Sequence, residues 1–221
     1  MIGSGKLKKA LTVANIVAQK ITRVLFKGEF YQAFREPQNK GVWFIWGGSG
    51  SGKSYFLMML AKEFARCNLK TFYNLLEEEL DDSDFIERTN TVGMNAVKEH
   101  YKAASYNYEQ LCQYLDTRGN KVDVLFIDSG IYFFKSFEQY LEFKRKYRNK
   151  IIVISGHAQG GNPRSELEKS LMYDAKQKIF CTGYLASCKG RTIGPNGGLY
   201  IIWQEGYEKI RGSLKQDPEN D

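Results

Sequence analysis

The sequence predicts an α/β fold in which a mainly parallel central sheet is sandwiched between helices, and three observations lead there. A glycine-rich loop, Gly47-Gly-Ser-Gly-Ser-Gly-Lys-Ser54, stands between an apolar run and a stretch of helical period. Short apolar runs recur along the chain with helical or polar segments between them. Ionisable residues gather at the carboxyl ends of those runs, the edge at which open parallel sheets hold ligands. At 221 residues the chain is long enough for one such core. The expected organisation is an N-terminal helical segment over 1–36, usable as an oligomerisation arm, a core over 37–212 and a flexible tail over 213–221.

The elements follow in order. Leu7, Leu11, Ala14, Ala18, Ile21 and Leu25 fall at alternating steps of four and three, which predicts one helix with a single apolar seam that needs a partner. Lys6, Lys8 and Lys9 precede Ala10–Ala18 in the manner of a signal peptide, but Gln19, Lys20 and Arg23 stand where a small-residue cleavage site belongs, so the helix is expected to stay. Val42-Trp-Phe-Ile-Trp46 reads as a buried strand, and Leu57, Leu60, Ala61 and Phe64 mark the inner face of the helix after the glycine loop. Lys70–Leu76 is a second strand and ends in Glu77, Glu78 and Glu79. Asp81-Asp82-Ser83-Asp84 caps a short helix, and Val97 to Arg118 reads as helical. Val122–Ile127 is a strand ending in Asp128, and Ile151–Ile154 another, followed by Ser155, Gly156 and His157. Lys178–Thr182 and Leu199–Trp203 complete the set and predict an antiparallel hairpin at one edge.

The glycine loop fits G-x-x-x-x-G-K-[ST], the P-loop pattern. Glycines let successive backbone N–H groups turn toward a polyphosphate, and the following helix adds its positive dipole end. Gly47, Gly48, Ser49, Gly50, Ser51, Gly52, Lys53, Ser54 and Tyr55 are therefore the expected nucleotide-binding set. Lys53 would reach the β- and γ-phosphates, and Ser54 and Asp128 would hold Mg²⁺ and its hydration shell from opposite sides. No Glu follows Asp128, so the carboxylate that aligns an attacking water must come from elsewhere; Glu77 leads, with Glu78 and Glu79 as competitors.

Composition narrows the partners. Lys and Arg number 32 against 25 Asp and Glu, a formal charge of +7 that favours an anionic partner. Four cysteines without a C-x-x-C pair, and only His100 and His157 to assist them, argue against structural zinc and for a reduced, cytoplasmic setting. No apolar run approaches the roughly 20 residues of a membrane span.

In these segments the chain resembles the RecA-type branch of P-loop ATPases, which includes the recombinase RecA, the replicative helicase DnaB and phage recombinase-like ATPases. Leu75-Leu-Glu-Glu78 is similar to the branch's segment with the catalytic glutamate, which falls on Glu77. Phe126-Ile-Asp-Ser129 is similar to its Walker B segment, with Asp128 in the acidic position. Ser155-Gly-His-Ala158 lies where the branch has a polar γ-phosphate sensor, which implies His157 or Gln159, though His replaces the more usual Gln or Asn. Lys189-Gly-Arg191, ahead of Gly194-Pro-Asn-Gly197, resembles the DnaB-type K-x-R hairpin, but its loop is a residue longer. The resemblance implies ATP as the nucleotide and a homo-oligomeric ring or filament in which Lys189 and Arg191 serve a neighbour's site. It implies DNA, single-stranded before double-stranded, at the segments after Asp128 and after His157. There Tyr132, Phe133 and Phe134 offer rings, and Arg164 and Lys169 offer charge. Lys144-Arg-Lys-Tyr-Arg148 with Lys150 is a further basic patch at a helix end. The competing readings are a small-molecule or nucleotide kinase and an ATP-gated binding module with negligible turnover.

Overall fold

The structure, a computed structural model, describes residues 9–214. Nine strands and nine α-helices are found there: β1 (Gly41–Gly47), β2 (Thr71–Leu75), β3 (Tyr101–Ala104), β4 (Val124–Asp128), β5 (Ile151–Gln159), β6 (Asn162–Pro163), β7 (Gln177–Thr182), β8 (Leu185–Cys188) and β9 (Leu199–Ile201) form the strands. The helices are α1 (Val13–Val17), α2 (Gly28–Phe34), α3 (Lys53–Arg66), α4 (Ser83–Val92), α5 (Tyr108–Asp116), α6 (Gly130–Phe133), α7 (Phe137–Lys146), α8 (Glu166–Asp174) and α9 (Gln204–Leu214). The sheet runs β3-β2-β4-β5-β1-β7-β8-β9, with β6 paired to β5. From β3 to β7 every pairing is parallel; β7, β8 and β9 pair antiparallel, so the expected edge hairpin is a three-strand meander.

Alternation of side chains along β1 builds both layers. Trp43 and Ile45 face α3 and α2 in one core, while Val42, Phe44 and Trp46 face α7 and α8 in the other. A strand covered on both faces must be apolar at every position, which is why β1, β4 and β5 read as continuous apolar runs. In the α3-side core, the Phe64 ring lies 5.2 Å from Phe26, 5.5 Å from Trp43 and 6.2 Å from Phe126, joining the entry segment to two strands.

Three expectations are corrected. The single N-terminal helix is not formed: α1 is a short helix with no buried residue, and Leu11, Ala14, Ala18, Ile21 and Leu25 are all exposed. The chain is instead held extended by hydrogen bonds from Val24 N–H to Pro37 O and from Asn39 N–H to Thr22 O, and Val24 and Phe26 then drop into the core. The β-branched residues Val13, Ile16, Val17, Ile21, Thr22 and Val24 lower helix propensity along this stretch. Lys6, Leu7 and Lys8, like the Asp217–Asp221 tail, lie outside the described residues. The second correction concerns 97–118. Left-handed Gly93 ends α4, Tyr101–Ala104 pairs with β2, and α5 starts only at the Asn107–Gln110 capping box. The third is β8, which went unforeseen because its half-buried, mixed run carries no apolar signal.

Phe64 is fully buried, so Phe64→Ala should cost about 3–5 kcal/mol. Urea unfolding should show a lower midpoint with little change in slope.

Candidate functional site

At the carboxyl edge of the sheet, β1 runs directly into the glycine loop. Gly50 and Gly52 have φ of 69° and 87°, the left-handed region that only glycine enters at little cost. A Cβ on Gly47 would stand 2.6 Å from Ser51 Oγ and 2.7 Å from Cys181 O, so the loop can leave the sheet only through a residue without a side chain. Gly52 caps α3 with no side-chain acceptor, which keeps first-turn N–H groups open toward an anion. The β7–β8 turn braces the loop through a hydrogen bond from Tyr184 N–H to Ser51 O. Gly48, Ser49, Gly50 and Tyr55 are exposed, and Gly52 and Ser54 half-buried.

Lys53 is 7% exposed, and its ammonium has no hydrogen-bond partner. Its nearest charge is Glu77, whose Oε1 lies 3.7 Å from Lys53 Nζ and 3.1 Å from His157 Nε2. Glu77 follows β2, yet β4 and β5 separate β2 from β1. It meets Lys53 by reaching back across the carboxyl ends of those two strands. The three glutamates therefore part company. Glu78 is hydrogen-bonded to the buried Arg88, its carboxyl raised by burial with Arg88 opposing, and Glu79 is exposed.

Asp128 closes β4 and is 2% exposed. Tyr73 OH donates to its Oδ2 at 2.7 Å and Ser155 Oγ donates to its Oδ1. Burial first, then the Asp128 charge, raises the Tyr73 phenol well above its ordinary range, so it remains a donor. Each Asp128 oxygen keeps a lone pair beyond these bonds. Ser51 Oγ and Ser129 Oγ are buried without partners. A buried ammonium, two buried hydroxyls and an oriented carboxylate beneath a cap-free helix are the donor set that a Mg²⁺-triphosphate fits. Among the described residues no group of three His, Cys, Asp or Glu is placed to hold a metal.

The structure thus brings Lys53, Glu77 and His157 together and sets Asp128 on the strand beside His157's. It does not bring Lys189 or Arg191 to them. These sit on the β8–β9 connection, where Lys189 N–H bonds Lys178 O and Arg191 N–H bonds Lys176 O, at the amino end of β7 and the opposite edge of the sheet. Gln159 is exposed near the end of β5. Tyr132 is exposed with its ring 6.4 Å from that of His157, whereas Phe133 and Phe134 belong to the core. Lys169 pairs with Glu166, Lys144 with Asp174 and Lys146 with Asp116, which neutralises much of the two basic stretches.

Sequence reasoning missed Tyr73, Ser155, Arg88 and Glu168 as parts of this site. Glu168 is wholly buried against His157, and its only sequence signal is the capping-box spacing from Ser165. Also unforeseen is a recess of about 610 Å³ beside the glycine loop, lined by Gly52, Tyr55, Met59, Tyr184, Ile202 and Trp203 among others.

No protein-family model matches the sequence, and no curated protein matches it. Solved structures do. The chain resembles the flagellar accessory protein FlaH of Methanocaldococcus jannaschii at 15% identity and a TM-score of 0.57, over 82% of this chain and 92% of that one. It resembles a KaiC-like protein of Pyrococcus horikoshii at 17% identity and a TM-score of 0.60, over 82% of this chain and 99% of that one. The likeness is one of fold: a RecA-like arrangement with a mainly parallel sheet between helices and antiparallel strands at one edge. Among the described residues no helix is long and apolar enough to cross a membrane.

Gly47→Ala should leave a folded protein that has lost nucleotide affinity, because the added methyl displaces Ser51 and the loop. Fluorescent-nucleotide titration beside circular dichroism checks this; wild-type affinity in the folded variant contradicts the loop geometry.

Proposed function

We propose that the chain is a Mg²⁺-dependent ATPase that binds and hydrolyses ATP and acts on or assembles along DNA, as a recombinase or helicase accessory. The observation that carries the hydrolytic part is Glu77 held 3.7 Å from the P-loop lysine and 3.1 Å from His157. The glycine-loop amides and Lys53 bind the phosphates, and the recess along Tyr55, Tyr184 and Trp203 offers apolar, aromatic surface to the base. Magnesium bound between Ser54 and Asp128 would offset phosphate charge. Glu77 accepts a hydrogen bond from water and orients it, while His157 fixes the carboxylate and senses the γ-phosphate. Glu78 is committed to Arg88, and of the three it is Glu77 that approaches Lys53 and His157, which supports Glu77 over both.

The position of Arg191, at the sheet edge away from its own Lys53, supports its service to the nucleotide of a second copy. That contact repeats head to tail, as a ring or a filament, and makes turnover depend on assembly. The charge of +7, together with exposed Tyr132 and Arg164 beside the site, supports single-stranded DNA as the polyanion.

Lys53→Ala should abolish ATP binding. Glu77→Gln should keep binding and lose turnover by about 100-fold or more. Steady-state hydrolysis with nucleotide titration measures both; a Glu77→Gln variant as fast as wild type would reduce the protein to an ATP-gated binder. Arg191→Ala should lower turnover with ATP affinity kept. Mixing it with Lys53→Ala should restore hydrolysis above either alone, since each supplies what the other lacks; no restoration sinks the trans assignment.

A further inference from the structure

Glu168 is the most deeply buried carboxylate beside the site. It has no exposed side-chain surface, a position Glu almost never takes without partners. Its Oε1 accepts the His157 backbone N–H at 2.7 Å, and its Oε2 accepts the Ser165 N–H at 2.8 Å and the Ser165 hydroxyl at 2.9 Å. His157 Nδ1 stands 3.5 Å from the same Oε1 that holds its backbone. The other ring nitrogen, Nε2, faces Glu77.

Capping α8 does not explain this burial. The Asn107–Gln110 box at the start of α5 makes the same pair of bonds with both residues exposed and with an amide in place of a carboxylate. The Ser165–Glu168 box is instead turned inward. The sheet makes room for it at Gly156, where a Cβ would lie 3.0 Å from Glu168 Oε1 and 2.5 Å from Phe44 Cζ. A carboxyl group has thus been taken out of water to meet one histidine on both its backbone and its ring.

We infer that Glu168 is a positioning residue that fixes the His157 ring between two carboxylates and ties the Glu77 end of the ATP site to the turn between β5 and α8. The chain of contacts runs Lys53, Glu77, His157, Glu168, Ser165. His157 and Ser165 frame the segment 158–164, which contains the exposed Gly160, Gly161 and Arg164. A displacement of His157 therefore moves the acceptor that holds the start of α8, and a ligand seated on that turn acts back on Glu77. Glu77 stands beside Nε2 and Glu168 beside Nδ1, so changing the Glu168 side chain alters the surroundings of Nδ1 directly and, through the seating of the ring, those of Nε2.

This inference rests on the ATPase reading above and deepens it. The test compares Glu168→Gln with a second cap variant, Ser136→Ala, which removes the hydroxyl that caps α7 and is no member of that chain of contacts. Glu168→Gln should lower kcat by about tenfold or more with the KM for ATP nearly unchanged, and Ser136→Ala should leave kcat as in wild type. Imidazole ¹⁵N spectra supply the second arm. The chain has only two histidines, so His100→Gln assigns the His157 signals. These should shift in Glu168→Gln and in Glu77→Gln but not in Ser136→Ala. Unchanged imidazole signals in Glu168→Gln overturn the inference, and so does an equal loss of kcat in Ser136→Ala. If the wild type hydrolyses no ATP, the ATPase reading falls while the imidazole arm still tests Glu168.

Discussion

The site depends on one topological constraint, the insertion of β5 between β1 and β4. The strand that carries the glycine loop and the strand that ends in Asp128 are not neighbours, and β5 fills the gap with Ser155 and His157 at its end. Register then does the rest: Gly47 pairs with His157, and Ile127 pairs with Ile154, so Ser155 falls level with Asp128 and His157 level with the loop. Side chains alternate along a strand, so Ser155 and His157 share a face and Gly156 the other. Ser155 turns to Asp128, His157 to Glu77, and Gly156 leaves room on the opposite face for Glu168 and Phe44.

How much was legible in the chain follows from which residues act locally. The loop, α3, β1 and β4 declare themselves because backbone geometry and local period dictate them. Glu77 and His157 were legible as strand-end residues in order along the chain, but their contact depends on the sheet order, in which β4 and β5 separate β2 from β1, and no local signal reports that order. Glu168 reads as one acid on an amphipathic helix; only tertiary packing turns it inward. Tyr73 reads as an apolar strand residue, and its hydroxyl acquires meaning only from Asp128. The N-terminal seam was a local pattern without a tertiary partner, and pairing around Arg23 and Gln38 overrode it. The stretch 97–118 hid a strand because an edge strand exposed on one side needs no apolar run.

Rigidity at the site comes from its aromatic supports. Tyr73 stacks on Phe126 with ring centroids 5.3 Å apart and planes 9° apart, which fixes the phenol that holds Asp128. Phe126 in turn meets Phe64 of α3, the helix that begins with Lys53. A carboxylate on β4 and an ammonium on α3 are thus referred to one packed cluster. Close-packed interiors resist small displacements, so the positions of these charges are set by hydrophobic contacts several residues away.

Charge accounting completes the physical picture. Two cations are buried at this edge, Lys53 and Arg88, and each takes a different glutamate of the run that follows β2. Arg88 binds Glu78 closely and lies 5.5 Å over the Phe85 ring, a tie that anchors the loop to α4. Lys53 approaches Glu77 only to 3.7 Å, beyond hydrogen-bond reach, and its ammonium makes no other bond. A buried ammonium without hydrogen bonds is costly in a protein kept for stability alone. The cost is intelligible where the same ammonium completes its hydrogen bonds with phosphate, and the looser of the two pairs is the one that sits at the loop. One glutamate is tied to Arg88 while its neighbour stands between Lys53 and His157 at the mouth of the loop.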